Sequence, residues 1–184
     1  MRAAATSPAT DASLAAIRAA LDAVPDPEIP VVSIRELGIL RDVRQAADGV
    51  LDIVITPTYS GCPAMSQIAE DIGAALNAIG APPHRIVTVL SPAWTTDWMT
   101  AEARDKLRAY GIAPPVGASG GDGCTTMPPA TRVIRFSPKP AAPPACPRCG
   151  SPRTARLAQF GSTACKALYR CLDCREPFDY FKPY

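Results

Sequence analysis

Residues 50–65, VLDIVITPTYSGCPAM, carry two structural signals back to back. Val50 to Thr56 is an apolar run in which Leu51, Ile53 and Ile55 would share one face of a strand. Gly61-Cys62-Pro63 then marks a helix start, because a proline's fixed φ and missing N–H suit the first helical position. Met65, Ile68, Ile72, Leu76 and Ile79 continue at helical spacing until Gly80 and the Pro82-Pro83 pair stop them. The stretch therefore predicts a strand feeding an amphipathic helix, with Cys62 at the N-cap and Pro63 at N1. A thiol there faces unpaired N–H groups and the positive end of a helix dipole, so its pKa is expected to fall below the free value of about 8.5.

Working outward, Ile39 to Arg44 forms a second apolar run, and Asp48-Gly49 supplies a hairpin turn to Val50. Upstream, Leu14, Ile17, Leu21 and Val24 fit a helix capped by Asp11 or Ser13 and ended by Pro25 and Pro27. Asp26-Pro27-Glu28-Ile29-Pro30 should be a rigid extended loop. Arg85 to Leu90 reads as a third strand, and Thr100 to Tyr110 as a helix ending at Gly111. The order of helix, hairpin, helix, strand and helix implies an α+β fold, a small mixed sheet with packed helices, over residues 11–136. Residues 1–10 are expected to be a disordered lead-in. Residues 113–130 read as a loop, Arg132 to Phe136 as a possible strand, and residues 137–145 as a Pro-rich linker.

The strongest chemical signal lies at the C-terminal end. Cys146-Pro147-Arg148-Cys149 and Cys171-Leu172-Asp173-Cys174 are two C-x-x-C pairs with 21 residues between them. Each pair can bite one tetrahedral ion from a tight turn, and together they complete a four-thiolate shell, as in a zinc ribbon. Iron in a rubredoxin-like site fits the same donors. Residues 146–184 are too few to hold a core unaided, so metal binding would supply much of their folding energy. A closed shell leaves no open coordination position and builds shape rather than catalysis. Cys165 lies between the pairs, either as a small buried strand residue or as an additional thiol, reactive beside Lys166 or sharing a metal.

Composition sets limits on function. The net charge of +2 divides unevenly: residues 1–145 carry 12 Lys/Arg against 14 Asp/Glu, and residues 146–184 carry 7 against 3. A basic module with Phe160, Tyr169, Phe178, Tyr180 and Phe181 suits an acidic protein surface, and base stacking would be its nucleic-acid alternative. The charge density is low for the latter, and no nucleic-acid partner is expected. No long apolar run suggests a membrane span, and no export signal is recognised, so a cytoplasmic protein is expected. One histidine, His84, cannot furnish the Glu-x-x-His motifs of a di-iron carboxylate site, and it would have to fold back on Cys62 to make a Cys–His pair. No dinucleotide fingerprint and no ferredoxin cysteine run is present. Trp94 and Trp98 read as packing residues.

Several segments together resemble the SUF/MIP-type iron–sulfur assembly domain family, in the subgroup called PaaD (also PaaJ) of phenylacetate degradation. They are Asp26-Pro27-Glu28-Ile29-Pro30, Ser33 to Ile39, Thr58 to Met65 and Trp94 to Met99, with Phe160 to Cys171 and Arg175 to Phe181 pointing to that subgroup. The resemblance implies an accessory component of the phenylacetyl-CoA 1,2-epoxidase system, itself not catalytic. It would mature or supply the iron or iron–sulfur centres of the oxygenase and reductase subunits. It matches Cys62 to the family's reactive cysteine, the expected holder of a transient iron or cluster, and Asp26 and Glu28 to its acidic motif. Glu36 stands where the broader family often has Asp. The alternative is a structural or docking subunit with no metal-transfer role.

Overall fold

The computed structural model describes residues 11–116 and 142–184. The lead-in at 1–10, most of the 113–130 loop with Cys124, the strand at Arg132 to Phe136 and much of the 137–145 linker lie outside the described residues.

The chain opens with α1 (Asp11–Asp22), followed by β1 (Leu40–Gln45), β2 (Leu51–Ile55), α2 (Ala64–Ala78) and β3 (His84–Thr88). β1 and β2 form the antiparallel hairpin, with Gly49 at φ 82° in its turn. β3 runs parallel to β2, so the sheet is mixed, with β2 in the middle. The apolar face reads as expected: Leu51, Ile53 and Ile55 pack with Ile68, Ile72 and Leu76 of α2 and Ile17 and Leu21 of α1. Ile79 is an exception, at 46 % exposure, because α2 ends at Ala78 and the chain turns away.

The opposite face of β2 is also covered, which alternation alone did not foretell. Asp52 is buried there, and the register sets it between Arg44 and Arg85. Arg85 Nε donates to Asp52 at 2.6 Å, and Arg44 Nε lies 3.5 Å from the same carboxylate. A carboxylate removed from water needs such partners.

The Asp26–Pro30 segment is not extended. The Asp26 carboxylate accepts from the backbone N–H groups of Glu28 (2.9 Å) and Ile29 (2.8 Å), and Pro25 bridges to Ser33. The short acidic side chain bonding its own backbone two and three residues on outweighs the extended bias of the prolines. Beyond it, Ser33 and Glu36 cap each other's N–H groups, a capping-box exchange, and Lys106 holds Glu36 Oε1 at 2.5 Å. The acidic residue at position 36 thus ties this loop to α3 (Ala101–Tyr110). Gly38 has φ 74°, and a Cβ there would meet Trp98 Cβ at 2.6 Å, so only glycine fits.

After α3, Gly111 at φ 97° reverses the chain into β4 (Ile112–Ala113). This two-residue strand pairs in parallel with β7 (Pro177–Phe181), and β7 continues to β6 (Lys166–Cys171) and β5 (Thr154–Ala158). The C-terminal sheet therefore has the order β4-β7-β6-β5 and begins on the chain leaving α3. Along β7, Phe178 and Tyr180 face a small ribbon core with Ala113, Ala167 and Cys171, whereas Phe181 enters the large core. A strand's period of two produces this division. Trp94 meets the Phe181 ring at 6.0 Å, and the Tyr184 backbone oxygen accepts from Thr96 N and Thr95 Oγ1.

Trp94 and Trp98 pack as expected: Trp94 Nε1 donates to the Leu37 carbonyl, and Arg41 lies over the Trp98 ring. Among the described residues no helix is long and apolar enough to cross a membrane.

Candidate metal centre and thiol site

The four ribbon cysteines converge. Cys146 and Cys149 come from the turn before β5, and Cys171 and Cys174 from the end of β6 and the turn after it. Cys146 Sγ lies 3.7 Å from Cys174 Sγ, Cys149 Sγ lies 3.6 Å from Cys171 Sγ, and all four sulfurs fall within 4.8 Å of one another. A tetrahedral zinc with bonds of about 2.3 Å spaces its sulfurs by about 3.8 Å, so the donor set fits such an ion. Burial opposes ionisation of Cys171, but the N–H groups of Cys174 and Asp173 and the neighbouring thiols lower its pKa, at the expense of Cys174, whose thiol is raised by the same contacts. Ser151 and Arg153 both hold the Asp173 carboxylate, fixing the second knuckle from the first.

Cys62 lies elsewhere, at the entrance to α2. Pro63, not Cys62, occupies the N-cap position, and no side chain caps the helix. Gly61 at φ 87° makes the turn into it. The thiol is half-buried, and its pKa is raised rather than lowered. Burial is the main cause, and the nearby Glu28 carboxylate adds to it. The Ala64 N–H and the hydroxyls of Thr58 and Tyr59 pull the other way without prevailing. The helix-terminus expectation failed because the thiol is desolvated and faces an anion.

That anion connects two parts of the chain. Glu28 Oε2 lies 3.8 Å from Cys165 Sγ, 137 residues away in sequence. Cys165 is buried in the large core and lies 3.0 Å from Thr163 Oγ1, while Lys182 N donates to its carbonyl. Burial pushes its thiol up to about 11, so Lys166 does not activate it. Lys166 is itself buried and lies 3.9 Å from Asp179. Its charge also acts on Asp26, whose carboxyl burial pushes up. Tyr59 bonds Cys62, and its phenol is pushed up to about 12, first by burial and then by Cys62, Glu28 and Cys165. Cys62, Glu28, Cys165 and Tyr59 therefore share one neighbourhood, with Asp26 behind Glu28.

His84 is not part of it. It pairs with Leu51 at the start of β2, whereas Cys62 follows the far end of that strand. The aromatic residues proposed for base stacking are largely packed: Phe178, Tyr180 and Phe181 are buried, and Tyr169 contacts Phe178 and Tyr180. Phe160 is exposed, with Lys182 above its ring. The residue whose place was hardest to foresee is Cys165, since no local pattern signals that a ribbon thiol meets a loop far upstream.

Comparison with known proteins finds two family models along the chain. Residues 14–89 match the family model described as iron–sulfur cluster assembly protein, and residues 130–182 match the PaaD zinc beta ribbon domain. A protein of Escherichia coli (strain K12), named as one of the subunits of 1,2-phenylacetyl-CoA epoxidase, is 50 % identical over 167 residues, 90 % of each chain. An Fe-S protein maturation auxiliary factor of Porphyromonas gingivalis is 36 % identical, covering 47 % of this chain and 83 % of that one. The crystal structure of a domain of unknown function from Bacillus anthracis is 32 % identical, with a TM-score of 0.45, over 50 % of this chain and 87 % of that one. Identity across nine-tenths of both chains, with an assembly domain and a PaaD ribbon in that order, places this chain in the PaaD family.

Proposed function

We propose that this chain is a cytoplasmic accessory component of a phenylacetyl-CoA 1,2-epoxidase. It matures or supplies the iron or iron–sulfur centres of the oxygenase and reductase subunits. The observation that carries this reading is Cys62 itself: a half-buried thiol at a helix entrance, beside the Glu28 carboxylate and under the hydroxyls of Thr58 and Tyr59. The likeness to Fe-S protein maturation factors over the first module supports it.

The residues divide the work. Cys62 gives up its proton when it takes iron, and the Ala64 N–H and the two hydroxyls stabilise the sulfur charge that results. Glu28 adds a hard oxygen donor, and Asp26 holds the Glu28 backbone in place. The four-cysteine site holds zinc, with iron as the other ion its donors accept, and it shapes the ribbon that docks the client. A thiolate-bound ion at a half-exposed position can be surrendered, whereas one enclosed by four thiolates is retained.

Cells making the epoxidase with Cys62→Ser in this chain test the reading. The expected result is a loss of roughly tenfold in epoxidase iron content and activity, the scale on which altered metal surroundings cost affinity. Unchanged iron content and activity would leave the chain as a docking subunit whose ribbon carries all its function.

A further inference from the structure

We propose that Cys165 and Glu28 join Cys62 in a second metal site, with two donors from the assembly domain and one from the ribbon, which takes one thiophilic divalent ion such as Fe²⁺. The inference rests on the assembly reading of Cys62 and adds that the ribbon supplies a ligand to the same ion.

The three donors arrive on three separate segments. Glu28 comes from the loop after α1, Cys62 from the turn into α2, and Cys165 from the residue before β6. A sulfur and a carboxylate oxygen on one tetrahedral ion, bonded at about 2.3 and 2.1 Å, lie about 3.6 Å apart. The Cys165 Sγ to Glu28 Oε2 separation of 3.8 Å is close to that bite. Cys62 and Tyr59 both pack against the large core that holds Cys165. Among the described residues, the ribbon quartet is the group whose ligand atoms all fall within 4.8 Å, and the three donors of the trio do not all lie that close together before an ion is bound. Capture of an ion draws the half-exposed Cys62 side chain inward by a change of rotamer, while Cys165 stays fixed in the core.

Charge and surroundings suit a cation. Two thiolates and one carboxylate carry three negative charges against two on the ion, so the set favours a cation, and buried Lys166, paired with Asp179, lies in the same region. Binding exchanges two thiol protons for the metal, and no oxidant or reductant is needed. Thr163 Oγ1, 3.0 Å from Cys165 Sγ, orients that sulfur. Mixed sulfur and oxygen donors select a borderline transition metal over Mg²⁺ or Ca²⁺.

Anaerobic titration of the full chain with Co²⁺, after the four-cysteine site has been filled with zinc, tests the site. The expected result is a second metal equivalent with sulfur-to-cobalt charge-transfer absorption and no release of zinc. Cys62→Ala and Cys165→Ala should each remove about half of that absorption, one of two sulfurs. Glu28→Gln should retain the band while weakening cobalt binding by about 10- to 100-fold. Because Cys165 is buried, retained zinc serves as its folding control, and the half-exposed Glu28 variant gives a second reading should that control fail. Absence of a sulfur band in the zinc-loaded chain would overturn the proposal. So would a band left undiminished by Cys165→Ala in folded protein, a band that depends on Cys124, or cobalt binding unaffected by Glu28→Gln. A Cys165-independent band together with client iron loss in Cys62→Ser would sink this inference and leave the assembly reading standing. Normal clients with Cys62→Ser, alongside a band that each thiol variant halves, would do the reverse.

Discussion

Cys171→Ser is expected to cost the chain one equivalent of metal and the folded ribbon with it. Among the described residues, the small core around the four cysteines holds Ala113, Cys146, Ala167, Cys171, Phe178 and Tyr180, with Tyr169 packed against it. So few side chains cannot offset the ordering entropy of the module. Zinc bound by comparable cysteine sites contributes about 10–16 kcal/mol in isolated fingers, so its loss removes the dominant favourable term. The damage should not stop at the ribbon, because β7 holds β4 and carries Phe181 into the large core. Metal analysis should show loss of the tightly held equivalent. The tyrosine near-ultraviolet dichroism of Tyr169 and Tyr180 should collapse, and the urea midpoint of the remainder should fall. A variant that keeps both its dichroism and its midpoint would mean that the ribbon folds without its ion.

Phe181→Ala is expected to destabilise the whole chain by about 3–5 kcal/mol, the usual cost of a deleted buried aromatic ring. Phe181 is 1 % exposed and faces Trp94 rather than the ribbon core. Against a total stability of about 5–15 kcal/mol, that loss is large. Urea unfolding of the zinc-loaded variant should show one transition at a much lower midpoint. Phe178→Ala, on the alternate face, should instead loosen the ribbon and weaken its metal. A loss under about 1 kcal/mol for Phe181→Ala would indicate that the ribbon only touches the assembly domain instead of sharing its core.

This shared core marks where the sequence stops being legible. α2 and the β1–β2 hairpin could be read because their signals are local: Ile68, Ile72 and Leu76 recur at helical spacing, and Asp48-Gly49 supplies the turn. The ribbon cysteines were equally plain, since their spacing already encodes the tight turns that bring sulfurs together. β4 escaped notice because Ile112–Ala113 is two residues long and its partner lies more than sixty positions later. The Pro-containing acidic loop was misread as extended because the propensity of proline is visible in sequence, whereas the bonds from Glu28 and Ile29 to Asp26 are not. The position of Cys62 near the helix start was readable to within one residue. Its pKa direction was not, since burial and the approach of Glu28 are tertiary facts. Cys165 offered two readings, and its contact with Glu28 arises only when the ribbon docks.

The consequence for function is a change in the ribbon's part. As a separate module it would serve only to recognise a client. Docked as it is, with Phe181 in the large core and Cys165 beside Glu28, it forms one wall of the thiol site. On the proposed function, a client docked at the ribbon and metal taken by Cys62 would be coupled through a few shared side chains, without any long-range route.

Following labelled iron tests the supply role most directly. The chain is loaded anaerobically with isotopically enriched iron, freed of unbound metal, and mixed with iron-depleted oxygenase or reductase subunits. Mössbauer spectroscopy of the reisolated client then reports where the label resides. The expected result is label in the client centre with recovery of activity, and no such transfer from Cys62→Ser. Label that stays with this chain, or that reaches the client equally well from Cys62→Ser, would contradict the supply role.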